Sequence, residues 1–191
     1  MKIVSVLGSP RRSGNSTIIA RWFCKAAERY GAQTNSFVLN QLTYRGCQGC
    51  MQCKGKLDHC ALKDDLTDVL NATESADVLV LASPVYYGDV TSQLKGFIDR
   101  TFSFLVPDFT TNPKPHRLAP GKKLVFILVQ GHPDEDQFAD VFPRYAGFSK
   151  RFGFDECHLV RACGLLAPGE VESRVDVLRQ TEALAQKLCA R

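Results

Sequence analysis

Apolar positions along this chain fall into two alternating patterns. Lys2–Leu7, Asp77–Ala82 and Lys123–Val129 are near-continuous apolar runs, as strands covered on both faces should be. Thr34–Leu39 and Glu156–Ala162 add two more strands. Between them the spacing becomes helical. Ile18, Trp22, Ala26 and Tyr30 share a stripe, with Ile19, Phe23 and Ala27 beside it, which predicts a helix from about Asn15 to Tyr30 stopped by Gly31. Leu66, Val69, Leu70 and Thr73 mark a second helix, opened by Asp64, Asp65 and Asp68, whose carboxylates suit its dipole. Leu94, Phe97, Ile98, Thr101, Phe102 and Leu105 mark a third. Phe138, Val141, Phe142, Tyr145 and Phe152 mark a fourth, in which Pro143 predicts a kink or break. The last runs from about Val171 to Leu188.

Five strand–helix alternations predict the α/β class: a doubly wound, five-stranded parallel sheet with helices on both faces. Right-handed crossovers give the strand order 2-1-3-4-5 and place a ligand at the carboxyl ends of strands one and three, where the winding reverses. A length of 191 residues suits one domain, with a cysteine-rich loop at about 43–63 and a proline-rich loop at about 106–121.

Composition narrows the partners. The excess of 24 Lys and Arg over 20 Asp and Glu is small and diffuse, so it indicates no nucleic acid, and an anionic cofactor is enough to explain it. The apolar run before Gly8 is too short for a signal peptide or a membrane span, so no membrane partner and a cytoplasmic location are expected. Of eight cysteines, Cys24, Cys157, Cys163 and Cys189 stand alone and read as small buried hydrophobes. The others cluster.

The first strand leads into Gly8-Ser9-Pro10-Arg11-Arg12-Ser13-Gly14-Asn15-Ser16-Thr17, a loop of glycine, hydroxyls and arginine that opens a helix. Hydroxyls, helix N–H groups and a guanidinium can converge there on an anion. A triphosphate loop is excluded, because the glycines are one residue too far apart and Asn15 stands in place of the lysine. A dinucleotide fingerprint is excluded because no G-x-G occurs. A monophosphate remains. The plainer alternative is a polar turn with Asn15 as N-cap.

The loop expected beside it is Ser83-Pro84-Val85-Tyr86-Tyr87-Gly88, in which Pro84 extends the chain, Gly88 turns it back, and a tyrosine can cover a planar ring. Gln130-Gly131, after the fourth strand, would close a third side. These two motifs, with Leu94 to Arg100 after them, resemble the NADPH-dependent FMN reductase group of flavodoxin-like proteins, and most closely its iron–sulfur flavoprotein branch. The resemblance implies FMN, with the phosphate among Ser9, Arg11, Ser13, Asn15, Ser16 and Thr17, and the ring against Pro84, Val85, Tyr86, Tyr87 and Gly88, with Gly131 nearby. It also implies a homodimer or homotetramer.

Cys47-x-x-Cys50-x-x-Cys53, with Cys60 after six intervening residues, places four thiols at a spacing that suits a [4Fe–4S] cluster. Arg45, Lys54, Lys56 and Lys63 would offset its charge, but would equally favour redox-active thiols, and zinc is a third occupant. The loop leaves the carboxyl end of strand two and is expected on the flavin's rim. The reading is therefore an FMN-dependent oxidoreductase relaying electrons between flavin and cluster, with NAD(P)H or a ferredoxin-like protein as donor. The alternatives are a flavin-binding redox sensor, an NAD(P)H-dependent FMN reductase without a cluster, and a flavin-free zinc module.

Overall fold

In the computed structural model, which describes residues 1–190, five parallel strands form one sheet in the order β2-β1-β3-β4-β5. The strands are β1 Lys2–Leu7, β2 Gln33–Val38, β3 Val78–Pro84, β4 Lys123–Val129 and β5 Glu156–Ala162. The helices are α1 Asn15–Glu28, α2 Leu66–Ser75, α3 Ser92–Arg100, α4 Val141–Arg151 and α5 Val175–Cys189. The expected class and order hold.

Alternation along the central strands divides the core. Val78, Val80 and Ala82 face α1 and α5, which pack side by side. Leu79 and Leu81 face the other way, with Phe126 of β4, toward α2, α3 and α4. Each central strand thus buries both faces, which is why β3 and β4 are apolar apart from Ser83 and Lys123 near their ends. The edge strand β2 is polar and largely exposed. None of the described helices is long and apolar enough to cross a membrane.

Gly31 stops α1 as expected: it has φ +80°, and the N–H groups of Gly31 and Ala32 donate back to the carbonyls of Glu28 and Ala27. Three expectations are corrected. Pro143 neither kinks nor breaks α4, because the helix begins at Val141 and Pro143 lies in the first turn, where N–H groups have no partner inside the helix. Phe138 lies outside that helix at φ +65°. The third helix ends at Arg100 and the last begins at Val175, with tighter 3₁₀ turns at Thr101–Phe104 and Glu170–Ser173 taking up the remaining periodicity. The proline-rich segment is a loop closed at its base by Val106 N–H to Pro115 O, 2.9 Å, and Arg117 N–H to Phe104 O, 2.7 Å.

Candidate functional site

Pairing of Leu7 with Ala82 carries the first loop onto β3. Gly8 N–H donates to Ala82 O at 2.8 Å, and Thr91 Oγ1, at the cap of α3, donates to Gly8 O at 2.8 Å. A Cβ on Gly8 would stand 2.7 Å from Leu94 Cβ and 2.9 Å from Thr91 Oγ1, so this approach requires glycine. The turn then tightens: Arg11 N–H donates to Ser9 Oγ at 3.2 Å, and Gly14 N–H to Arg11 O at 3.1 Å.

Gly14, not Asn15, is the N-cap of α1, and it brings no side chain. Ile18 N–H bonds back to Gly14 O at 3.0 Å, which leaves the N–H groups of Asn15, Ser16 and Thr17 at the open end of the helix. The Ser16 hydroxyl is buried there without a hydrogen-bond partner among the described residues. An orphaned buried hydroxyl costs about 1–3 kcal/mol, and at a helix N-terminus an anion is the partner that fits.

The loop after β5 lies over this end. Arg11 Nη1 donates to Leu166 O at 2.8 Å. The Asn15 amide donates to Ala167 O at 2.9 Å and accepts from Val171 N–H at 3.1 Å. Glu170 accepts from the N–H groups of Leu166 and Ala167, at 2.6 and 2.9 Å. Asn15 therefore spends its side chain on the fold and offers an anion its backbone N–H. Gly131 sits beneath Leu166, where a Cβ would meet Leu166 Cδ2 at 2.2 Å.

The second loop is held from both sides. Val85 N–H donates to Val129 O at 2.7 Å, while Tyr86 and Asp89 exchange backbone bonds of 2.8 and 3.1 Å across Tyr87 and Gly88. Both central residues are left-handed, at φ +54° and +78°, the geometry of a type I′ turn. The tyrosines do not pack under a helix. Tyr86 is exposed, and Tyr87 stands wholly in solvent.

The Asp89 carboxylate pins this turn to α4, accepting from Val90 N–H at 2.7 Å, Tyr145 Oη at 2.8 Å and Arg144 Nη1 at 3.0 Å. Burial alone would raise the Asp89 carboxyl, but Tyr145, Val90 N–H and Arg144 carry it below its usual range. Burial and the Asp89 carboxylate push the Tyr145 phenol well up. Tyr145→Phe is expected to cost about 1.5 kcal/mol, the low end for a bond to a half-exposed charge, seen as a lower urea midpoint with an unchanged slope.

The cysteine loop does not stay on this rim, which corrects the sequence expectation. Tyr44 Oη donates to Gln93 O at 2.7 Å, Gly46 lies against Gly96, and Arg100 Nη1 donates to Arg45 O at 2.9 Å. These contacts lead the chain down α3, about 12 Å at 1.5 Å per residue. Cys47, Cys50, Cys53 and Cys60 line one cavity with Arg100 and Phe102, all four as free thiols. Cys47 and Cys50 are exposed, Cys60 is half-buried and Cys53 is buried. Among the described residues no three Cys, His, Asp or Glu side chains converge at metal-ligating geometry. The isolated Cys24 and Cys189 are buried, Cys157 and Cys163 half-buried. Burial pushes the Cys24 thiol up to about 11, so it behaves as a small hydrophobe.

The sequence profile described as NADPH-dependent FMN reductase matches residues 1–136. The chain belongs to that family. An iron–sulfur flavoprotein of Methanocaldococcus jannaschii is 37% identical over 101 residues, 53% of this chain and 52% of that protein. Another, from Archaeoglobus fulgidus, is 36% identical over 104 residues, 54% of this chain and 47% of that one. The matched stretch spans about half the length of these curated relatives. The FMN-dependent NADH-azoreductase of Bacillus anthracis, solved in complex with FMN, superposes with a TM-score of 0.75 over 99% of this chain and 100% of its own, at 17% identity, which establishes the shared flavodoxin-like fold.

In this member of the NADPH-dependent FMN reductase family the two rim motifs stand side by side, joined through Gly8, Ala82 and Thr91. Sequence reasoning named Lys54 beside the cysteines but missed Arg100 and Arg117 there, as well as the Asp89–Arg144–Tyr145 latch and the Leu166–Val171 cover. Each is assembled from segments distant in sequence, with no local pattern to betray it.

Proposed function

We propose that this chain is an FMN-dependent oxidoreductase taking electrons from NAD(P)H or a ferredoxin-like protein. The observation that carries this reading is the buried, partnerless Ser16 hydroxyl at the open end of α1, behind the loop that Gly8 bonds to Ala82 of β3, the strand that leads into the exposed tyrosine turn. Bound FMN supplies hydride chemistry at its ring, and the protein supplies grip and orientation. The N–H groups of Asn15, Ser16 and Thr17, with the hydroxyls of Ser9, Ser13, Ser16 and Thr17, hold the phosphate. Arg11, exposed at the mouth, adds its charge in exchange for Leu166 O. Pro84 to Gly88 lies along the ring edge, Tyr86 or Tyr87 covers its face, and Gly131, with Leu166 seated on it, bounds the third side.

Cys47, Cys50, Cys53 and Cys60 hold a [4Fe–4S] cluster, which would supply one-electron steps. The fit rests on the donor set, four free thiols on one cavity, and on the cations around it. A homodimer or homotetramer in the cytoplasm completes the proposal; eight free thiols suit a reducing compartment. The unconverged thiols favour a second reading, an NAD(P)H-dependent FMN reductase whose cysteine loop holds no cluster.

Anaerobic purification with flavin, iron and sulfide analysis separates the two. The expected result is one FMN and about four irons per chain. Flavin without iron leaves the second reading, and a chain that binds no FMN overturns both.

A further inference from the structure

Three cations from three segments hold the cysteine loop, Arg100 lining its cavity and Lys54 and Arg117 bonded to the carbonyls of the residues behind it. Arg100, at the end of α3, has a fully buried side chain. Its Nη1 donates to Asp64 Oδ2 at 2.8 Å and Arg45 O at 2.9 Å, its Nη2 to Leu62 O at 3.2 Å, and its Nε has no partner. Lys54, within the loop, donates through Nζ to Phe102 O at 2.5 Å and Leu105 O at 2.8 Å, and lies 4.2 Å from the centre of the Phe102 ring. Arg117, at the foot of the proline-rich loop, donates to Ser103 O at 2.9 Å, to Leu105 O, and to Cys53 O at 3.3 Å.

Apart from Asp64, the acceptors here are neutral carbonyls. Asp58, the other acidic group of the loop, stands in solvent bonded to His59. Arg100 is buried and paired with Asp64, whereas Lys54 and Arg117 are half-buried and meet only carbonyl oxygens, so roughly two positive charges lack a carboxylate partner in contact. A [4Fe–4S] core with four thiolate ligands carries about two negative charges. The unmatched charge and the partnerless Arg100 Nε are what a protein built round that anion would show.

We infer that Lys54, Arg100 and Arg117 form a cationic collar that positions the cysteine loop and raises the reduction potential of the cluster held there. The inference rests on the cluster reading above. Reduction adds an electron to an already anionic group, so nearby fixed cations favour the reduced form. Arg100 also threads the loop, bonding residues on both sides of its cysteines, and belongs to the positioning side of the collar. Lys54 and Arg117 act on charge and on the seat of Cys53.

Anaerobically prepared wild-type protein is compared with Lys54→Met, Arg117→Gln and Lys54→Arg. Iron, sulfide and flavin are counted, and the cluster potential is measured by EPR-monitored titration. Flavin content, read about 12 Å away along α3, should stay at the wild-type level and reports that the chain is folded. The expected result is a full complement of iron with a more negative midpoint in Lys54→Met and Arg117→Gln, and a near wild-type midpoint in Lys54→Arg. Iron lost from Lys54→Met but kept by Lys54→Arg also supports the collar, because arginine restores the cation together with donors for Phe102 O and Leu105 O. Coincident potentials in all four proteins overturn the inference while the cluster reading stands. Loss of iron from both Lys54 variants, with flavin retained, overturns it as well, since charge is then not what the site needs. Wild-type protein with flavin but no iron or sulfide removes the cluster reading and the collar with it.

Discussion

Gly14→Ala is expected to remove tight FMN binding while leaving the sheet and α1 folded. The backbone at Gly14, φ −64° and ψ 143°, suits any residue, so the effect comes from space rather than strain. A Cβ there would stand 2.3 Å from Ser9 Oγ and 3.2 Å from both Ser9 Cβ and Arg11 O. Ser9 must leave its position, releasing Arg11 N–H and spreading the turn that aims hydroxyls and N–H groups at the phosphate. Losing one or two such bonds to a charged group costs about 2–3 kcal/mol, roughly 30- to 150-fold in Kd. Fluorescence titration of the apoprotein should show that loss for FMN and little change for riboflavin, which lacks the phosphate. Ser9→Gly in the Gly14→Ala background should recover part of the affinity by vacating the space. Unchanged FMN affinity in Gly14→Ala would place the phosphate elsewhere.

That site was legible because its chemistry is contiguous. Glycine, hydroxyls and arginine between a buried strand and an amphipathic helix lie within one short stretch, and the strand order that sets it beside Ser83 to Gly88 follows from handedness. β3 and β4 were legible because burial on both faces left a polar residue only near their ends, Ser83 and Lys123. The role of Asn15 was not legible, since its partners Ala167 and Val171 lie at the far end of the chain and a sequence shows only that it opens a helix. Pro143 misled for a related reason: its effect depends on its distance from the helix start, and Phe138 extended the apparent period one turn too early. The cysteine loop is the sharpest case. Spacing supplied the donor set, but the path down α3 is set by Tyr44 on Gln93, Gly46 on Gly96 and Arg100 on Arg45, contacts across roughly fifty residues that leave no local trace.

Arg100→Met should destabilise the chain by about 3–5 kcal/mol, the range for removing one partner of a buried ion pair. The Arg100 side chain is fully buried and that of Asp64 is 16% exposed, so solvent reaches the pair from the carboxylate side only. The substitution takes the guanidinium donor from the carbonyls of Arg45 and Leu62 and leaves the Asp64 carboxylate with only the backbone N–H groups of Arg45 and Leu66. Lysine at the same position restores charge but not the fork that reaches three acceptors, so Arg100→Lys should recover only part of the loss. Acid sensitivity reads the same pair independently. Burial alone would raise the Asp64 carboxyl, yet the Arg100 hydrogen bond, Arg45 N–H, the Arg100 charge and Leu66 N–H together hold it below its usual range. A carboxyl depressed in the folded state contributes stability that is fully present above its unfolded value, about 3.9, and is lost as pH falls through the folded one. Without Arg100 the burial term acts with far less opposition and this acid-labile contribution goes, so the stability gap between the parent and Arg100→Met, read from urea unfolding at each pH, should narrow as pH falls through the folded Asp64 value. An Arg100→Met protein matching the parent in urea at every pH would mean that this pair does not anchor the cysteine loop, whose descent along α3 would then depend on Tyr44 and Gly46.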